Sequence, residues 1–275
     1  CPCDENRRYG GNTSCVVLDV PGGEPILFDL GTGLRFYGVA EPCTEVPFRG
    51  TALLSHLHWD HVQGLPFFPP LHCQGSRLDV YGPGEDGRSL EDSFDAFMNP
   101  PFFPIRIRDL PGQITFHDAT SGSFDVGPAR VTVGEVPHVG ATFGYRVDWE
   151  GVSIAYVSDH QQPVDDPRRV VDSVLELVDG VDLLIHDAQF TPEEFAERPD
   201  WGHCTVDYAL EVAHQATAGE LVLFHHDPAH CDSTIDGLLA AATDRAVGLD
   251  VGSVSAAAEG RTIHLSPTSP LAARS

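Results

Sequence analysis

Short apolar blocks, broken by polar, glycine- or proline-containing stretches, run the length of this chain. Blocks rich in β-branched and aromatic residues predict strands over Cys15–Val20, Pro25–Leu30, Thr51–Ser55, Leu78–Tyr81 and Gln113–Phe116. Further strands are predicted over Ala129–Val136, Thr142–Val147, Val152–Val157, Asp182–His186 and Leu221–His225. Helical spacing predicts helices over Asp166–Val178, Thr205–Ala216 and Ser233–Ala246. In the second, Val206, Ala209, Leu210 and Ala213 share one face; at the third, Ser233 and Asp236 resemble a capping box. Strands dominate early and helices later, which fits an α/β chain with two mixed sheets flanked by helices. Nothing reads as a linker, so residues 1–275 are expected to form one domain.

One segment departs from the alternation. Between Pro83 and Gly112 a short helical stretch is followed by Pro100-Pro-Phe-Phe-Pro104, and Pro66-Phe-Phe-Pro-Pro70 is a similar run. Prolines and aromatics of this kind serve as a lid or as the wall of a pocket for a flat ring; the plainer reading is that the phenylalanines fill core.

Composition narrows the picture. Hydrophobic residues make up 41% of 275, enough for a sizeable core. No apolar run approaches the ~18–20 residues that cross a bilayer, and no charged-then-apolar segment marks a signal peptide. Seven cysteines without paired spacing, Cys1-Pro-Cys3 among them, fit reduced thiols and a cytoplasmic protein. Sixteen basic against forty-one acidic residues give a formal charge of −25. Such a surface repels polyphosphate backbones, so no long nucleic acid is expected as partner, and no membrane. Monomer and homodimer both remain open.

The chemistry concentrates in His56-Leu57-His58-Trp59-Asp60-His61, directly after the block Thr51–Ser55. Side chains at i and i+2 of an extended segment point the same way, so His56 and His58 can grip one ion together. Asp60 and His61 follow the turn and can reach a second ion. Imidazole and carboxylate are ligands for zinc, manganese or iron. His138, Asp159 and His225 each stand just past a strand-like block, where loops at one sheet edge converge.

This order of motifs, strand–HxHxDH, then His, Asp and His, resembles the metallo-β-lactamase superfamily, from Gly10-Gly-Asn-Thr-Ser14 to about Leu265. The resemblance implies an αββα sandwich. It implies two divalent metal ions: His56, His58 and His138 on one, Asp60, His61 and His225 on the other, Asp159 bridging. Zinc is the first choice, manganese and iron the alternatives. Asp29, in Ile26-Leu-Phe-Asp29, would accept the second ring N–H of a metal-bound histidine. Gly31 and Gly33 would let the chain turn beneath the site. His160, His226 and His230 are surplus to this set.

Asp187, in Ile185-His-Asp-Ala-Gln189, and His203, in Trp201-Gly-His-Cys-Thr205, resemble the paired motifs of the tRNase Z-like phosphodiesterases. The pair implies His203 as the residue that touches the scissile phosphate and Asp187 as its partner; with Asp60 they complete the catalytic set. Asp stands where Glu is common, and Cys204 where Ser is usual. Those enzymes carry a long basic arm between the third-motif histidine and the bridging aspartate; here only twenty residues separate His138 from Asp159. The implied activity is hydrolysis of a small, cyclic or linear phosphodiester by a hydroxide bridging two ions, a metal-bound water having its pKa lowered toward ~7. The alternatives are a thioesterase of the glyoxalase II type and a non-catalytic metal-binding module.

Overall fold

The computed structural model describes residues 4–41 and 46–266. Strands β1 (Val16–Leu18), β2 (Ile26–Phe28), β3 (Arg49–Leu53), β4 (Arg77–Gly82) and β5 (Gln113–Asp118) form a sheet in the order β1-β2-β3-β4-β5. Its first pair is antiparallel and the rest are parallel. The second sheet contains β6 (Gly122–Val126), β7 (Ala129–Glu135), β8 (Phe143–Trp149), β9 (Val152–Val157), β10 (Leu183–Asp187), β11 (Glu220–Phe224) and β12 (Ser253–Ala256). Its order is β12-β11-β10-β9-β8-β7-β6, antiparallel from β6 to β9 and parallel from β9 to β12. The helices are α1 (Leu34–Ala40), α2 (Trp59–Val62), α3 (Leu90–Phe97), α4 (Asp172–Val178), α5 (Pro192–Glu197), α6 (Val206–Gln215) and α7 (Asp232–Ala246).

The two sheets pack face to face, and helices cover both outer faces. This is the expected αββα sandwich, and it explains why the central strands read as unbroken apolar blocks. On β2, Ile26 and Phe28 face the opposite sheet while Leu27 faces the helical layer. On β9, Ile154 and Tyr156 enter the inter-sheet core, and Ala155 and Val157 pack outward with Val174 of α4 and Leu210 of α6. A strand buried on both faces has no polar alternation to show.

All ten predicted strands are present. β6 and β12 were not predicted: Gly122–Val126 is mostly exposed and polar, and Ser253–Ala256 is an edge strand without an apolar block. α1, α2 and α5 were missed as well. α4 begins at Asp172 rather than Asp166, since Pro167 disfavours helix in the residue before it and Val170 is drawn into the core. The capping box expected at Ser233 does not form. Cys231 is the N-cap of α7, and Asp236 accepts hydrogen bonds from Arg8 and Tyr9 instead.

The aromatic segments divide between the two readings made of them. Phe68, Phe94 and Met98 are buried beneath the five-stranded sheet, whereas Phe67 and Phe102 are exposed. Among the described residues no helix is long and apolar enough to cross a membrane. The expectation of reduced thiols is corrected at one position: Cys73 is disulfide-bonded. Cys15, Cys204 and Cys231 are free, and Cys1 and Cys3 lie outside the described residues.

Candidate metal centre

β2, β3, β9, β10 and β11 all end at the same edge of the sandwich. Asp29, the loop from Ser55 to His61, Asp159, Asp187 and His225 leave those strands directly, so the chemistry gathers where the parallel strands terminate. The predicted residues come together in two groups joined by a third, in which Asp159 and His225 meet His203. Ligand atoms of His56, His58, His138 and Asp159 lie within 4.8 Å of one another, as do those of Asp60, His61 and His225.

Asp159 stands between the groups with one oxygen toward each. Its Oδ2 is 3.7 Å from His56 Nε2 and 3.6 Å from His138 Nε2. Its Oδ1 is 3.2 Å from His61 Nε2 and 3.6 Å from His225 Nε2. Asp60 Oδ2 completes the second group, 3.3 Å from His61 Nε2 and 3.1 Å from His225 Nε2. His58 joins the first through Nδ1, 3.2 Å from His138 Nε2.

The far side of four of the five rings is held as well, which fixes the tautomer. His61 Nδ1 donates to Asp29 Oδ2 (2.7 Å), His138 Nδ1 to the Gly202 carbonyl (2.7 Å) and His225 Nδ1 to Gln189 Oε1 (3.0 Å). Ser55 Oγ gives its proton to Asp29 Oδ2 (2.9 Å), so it accepts from His56 Nδ1 (3.0 Å). Four imidazoles thus aim Nε2 into the cluster. Asp29 has the expected place behind His61 and also accepts from Tyr156 Oη (2.7 Å) and the Ser55 amide (2.7 Å). Ser55, Tyr156, Gln189 and the Gly202 carbonyl were not found from the sequence.

Two glycines permit this closeness. A Cβ on Gly202, whose φ is +94°, would sit 2.3 Å from the His138 ring. A Cβ on Gly31 would sit 2.3 Å from the Asp60 carbonyl.

Electrostatics separates the two groups. Burial and the neighbouring imidazoles push His56 well below the usual histidine pKa, and burial lowers His138. Burial also opposes charge on His61, yet Asp159 and Asp29 hold it well above that value. His225 is likewise desolvated, yet Asp159 and Asp60 raise it to about 9. Burial works against the Asp159 anion, but His225, His61 and His56 outweigh it and keep the carboxyl ionised. His56 Nε2, His61 Nε2 and Asp159 Oδ1 are buried without a hydrogen-bond partner. Buried polar atoms left so are rare in folded proteins, and here three converge on a set of imidazole and carboxylate donors. The donor set fits two divalent cations.

His203 lies beside this cluster. Its Nδ1 is 3.0 Å from Asp187 Oδ2 and 3.7 Å from Asp159 Oδ2, and its ring stacks on His225 at 4.9 Å. Nε2 makes no hydrogen bond among the described residues. Asp187 is itself fixed: Oδ2 accepts from the His160 amide (3.1 Å) and Oδ1 from the Gln189 amide (3.0 Å). Gln161 Oε1 accepts from the Gly202 amide (2.8 Å), tying the Trp201–Thr205 loop to the strand end that carries Asp159.

The surplus histidines are used elsewhere. His226 Nε2 turns to the Ala257 carbonyl (3.1 Å), His230 to Glu194 (2.9 Å), and His160 is buried against His186 (3.0 Å).

Comparison with known proteins accords with this geometry. Residues 26–226 match the family model described as the beta-lactamase superfamily domain. A ribonuclease Z of Natronomonas pharaonis is 29% identical over 259 residues, covering 78% of this chain and 81% of that protein. The short form of human tRNase Z superposes with a TM-score of 0.57 at 25% identity, over 81% of this chain and 88% of its own. YhfI of Bacillus subtilis, a metallo-beta-lactamase fold protein, shares the fold with a TM-score of 0.68 at 19% identity, over 92% and 94%. The matched span runs from β2 to just past β11 and holds every residue of the two ligand groups; the chain belongs to the beta-lactamase superfamily.

Proposed function

We propose that this protein is a two-metal hydrolase that cleaves a small phosphodiester, cyclic or linear. The observation that carries the reading is the Asp187–His203 pair, set against Asp159 and stacked on His225. His56, His58, His138 and Asp159 would hold one ion, and Asp60, His61, His225 and Asp159 the other. Bound there, divalent ions supply charge that neutralises phosphoryl oxygens and lower the pKa of water toward ~7. The rest falls to the side chains. Asp187 accepts the Nδ1 proton of His203 and fixes the ring, so Nε2 faces the substrate and, in the imidazolium form, donates at its leaving oxygen. Asp29, Gln189 and the Gly202 carbonyl keep the ligand rings from turning.

The relatives named ribonuclease Z make RNA the competing substrate. A formal charge of −25 weighs against a long polyanion. So does the stretch from His138 to Asp159, which is spent on the β8–β9 hairpin with no added segment. The test is turnover by zinc- or manganese-loaded protein of 2′,3′-cyclic nucleotides, bis(p-nitrophenyl) phosphate, a tRNA precursor and lactoylglutathione. Cleavage of the small phosphodiesters that falls away in His203→Ala is the expected result. Preference for the tRNA precursor would replace the small-substrate reading with the ribonuclease one, and preference for the thioester would replace both.

A further inference from the structure

Asp159 leaves β9 on the segment Ser158-Asp-His-Gln-Gln162, and His203 stands on the loop from Pro199 to Thr205. No helix or strand includes that loop, so its backbone groups depend on partners from elsewhere. Two glutamines supply them. The Gln162 amide donates to the His203 carbonyl (3.2 Å), and Gln162 Oε1 accepts from the Thr205 amide (3.1 Å) and hydroxyl (2.8 Å). The Thr205 hydroxyl in turn accepts from the Tyr208 amide (3.1 Å) and caps α6. Gln161 Oε1 accepts from the Gly202 amide (2.8 Å), and Gln161 Nε2 donates to the carbonyls of Pro199 (2.8 Å) and Gln162 (2.7 Å).

Gln161 reaches beyond the loop as well. Its own amide donates to the carbonyl of Pro137 (2.7 Å), the residue before His138. On the far side of Gly202, the glycine carbonyl accepts from His138 Nδ1 (2.7 Å). Gln161 therefore holds His138 from two directions: through the backbone that precedes it and through the glycine that fixes its ring. The same glycine precedes His203, whose Nδ1 is bonded to Asp187 (3.0 Å). Gly202 is buried, and among the described residues its amide has no acceptor other than Gln161. Glycine is the least restricted residue, and the His138 ring bars any larger one here, so the restraint has to come from outside the loop.

We propose that Gln161 is a positioning residue that couples the candidate ligand His138 to the candidate acid His203 through the Gly202 peptide. The inference rests on the phosphodiester reading and deepens it, since one side chain then sets both the His56, His58 and His138 group and the place of the acid at the leaving oxygen. Without the hydrogen bond from Gly202 to Gln161, the glycine turn is free to shift. The His203 ring, held at one nitrogen by Asp187, then pivots about that bond. A displacement of about 1 Å costs on the order of 10²-fold in a reaction that needs its groups aligned. The same shift loosens the carbonyl behind His138, which weakens the ion-binding group that His138 belongs to and leaves the other alone. Gln162 differs: it bonds the backbone of His203 and the cap of α6, and touches neither ring.

The test applies two esters and a chelator to Gln161→Met, which keeps the length of the side chain and removes its amide. Bis(p-nitrophenyl) phosphate releases a weakly basic phenolate that needs little help from an acid; diphenyl phosphate releases a more basic one that needs more. With zinc-loaded protein, Gln161→Met should lower kcat about 10- to 100-fold on diphenyl phosphate and only a few-fold on bis(p-nitrophenyl) phosphate, with KM nearly unchanged. In a His203→Ala background the substitution should make no difference between the esters. Chelator competition should find the ion at the His138 group weakened about ten-fold and the other unchanged. Gln161→Glu keeps the oxygen that Gly202 needs; it should show the same pattern in smaller measure, and it carries the test if the methionine variant does not fold. Equal losses on the two esters overturn the coupling, as do ion affinities that stay unchanged or fall alike in both groups. A parent protein that hydrolyses neither ester sinks the phosphodiester reading instead, and the chelator measurement still decides whether Gln161 supports His138.

Discussion

The two halves of the candidate metal centre share Asp159 and little else. The half built from His56, His58 and His138 is three imidazoles, two of which burial holds in the neutral form. The half built from Asp60, His61 and His225 carries its own carboxylate, is backed by Asp29, and keeps His61 and His225 protonated when no ion is present. One half is ready for a cation as it stands; the other already contains cations, in the form of protons, that an incoming ion displaces. With both halves on the same strand ends, the two are expected to differ in affinity for an ion and in their response to pH.

The largest break in this comparison comes from removing what the halves share. Asp159→Ala deletes a candidate ligand from each, because Oδ2 faces one group and Oδ1 the other. Metal analysis should fall from two ions to one or none, and hydrolysis by at least about 10³-fold. Retention of both ions would show that the halves are independent.

His203→Ala cuts the chemistry without removing a member of either half. Two ions should remain while kcat falls about 10²–10⁴-fold, the range for a positioned acid–base group. Asp187→Ala should cost less, since Asp187 acts only by holding the His203 ring. The double variant should be no worse than His203→Ala alone, because both act through one imidazole. A parental rate in His203→Ala would move the thioesterase ahead, and additive losses would give Asp187 a separate role.

The same asymmetry governs what the sequence discloses. His56, His58, Asp60 and His61 are legible because one loop carries four candidate ligands after an apolar block. His138, Asp159 and His225 are legible because each breaks such a block. Their supports are another matter. Ser55, Gln189, Tyr156 and the Gly202 carbonyl are single groups brought in from separate strands and loops, and no local period marks them. One signal was present and unused: Thr191-Pro-Glu-Glu194 has the spacing of a capping box, forms one on α5, and its Glu194 also holds His230 away from the site. The sandwich was legible in its doubly buried strands, whereas β6 and β12 gave no signal because an edge strand needs no apolar block.

Asp29 sharpens the contrast between the halves. It bonds His61 directly and reaches His56 only through Ser55. Asp29→Asn should weaken ion binding at the Asp60 half by about 10- to 100-fold, the usual cost of losing such a partner, with a smaller loss at the other. Chelator competition that resolves the two affinities is the measurement. Equal losses would mean that Asp29 supports the strand ends in general rather than the His61 ring.

The gentlest discriminator is pH. His138→Ala isolates the Asp60 half and His225→Ala the His56 half. In the first, an ion must displace protons from His61 and from His225, whose pKa is about 9, so affinity should fall steeply as pH drops below that value. The limit is about ten-fold per pH unit for each proton displaced. In the second, His56 and His138 are already neutral at pH 7, so affinity should be nearly flat between pH 7 and 9. Stability of the metal-free parent should follow the opposite sign. A histidine whose folded pKa is raised binds its proton more tightly when folded, so its stabilisation is complete below the unfolded pKa of ~6.5 and is lost as pH rises through about 9. Melting temperature without metal should therefore fall by a few degrees across that window, and loading with zinc should abolish the trend, because the bound rings no longer carry the protons. Matching affinity slopes in the two variants would erase the distinction between the halves.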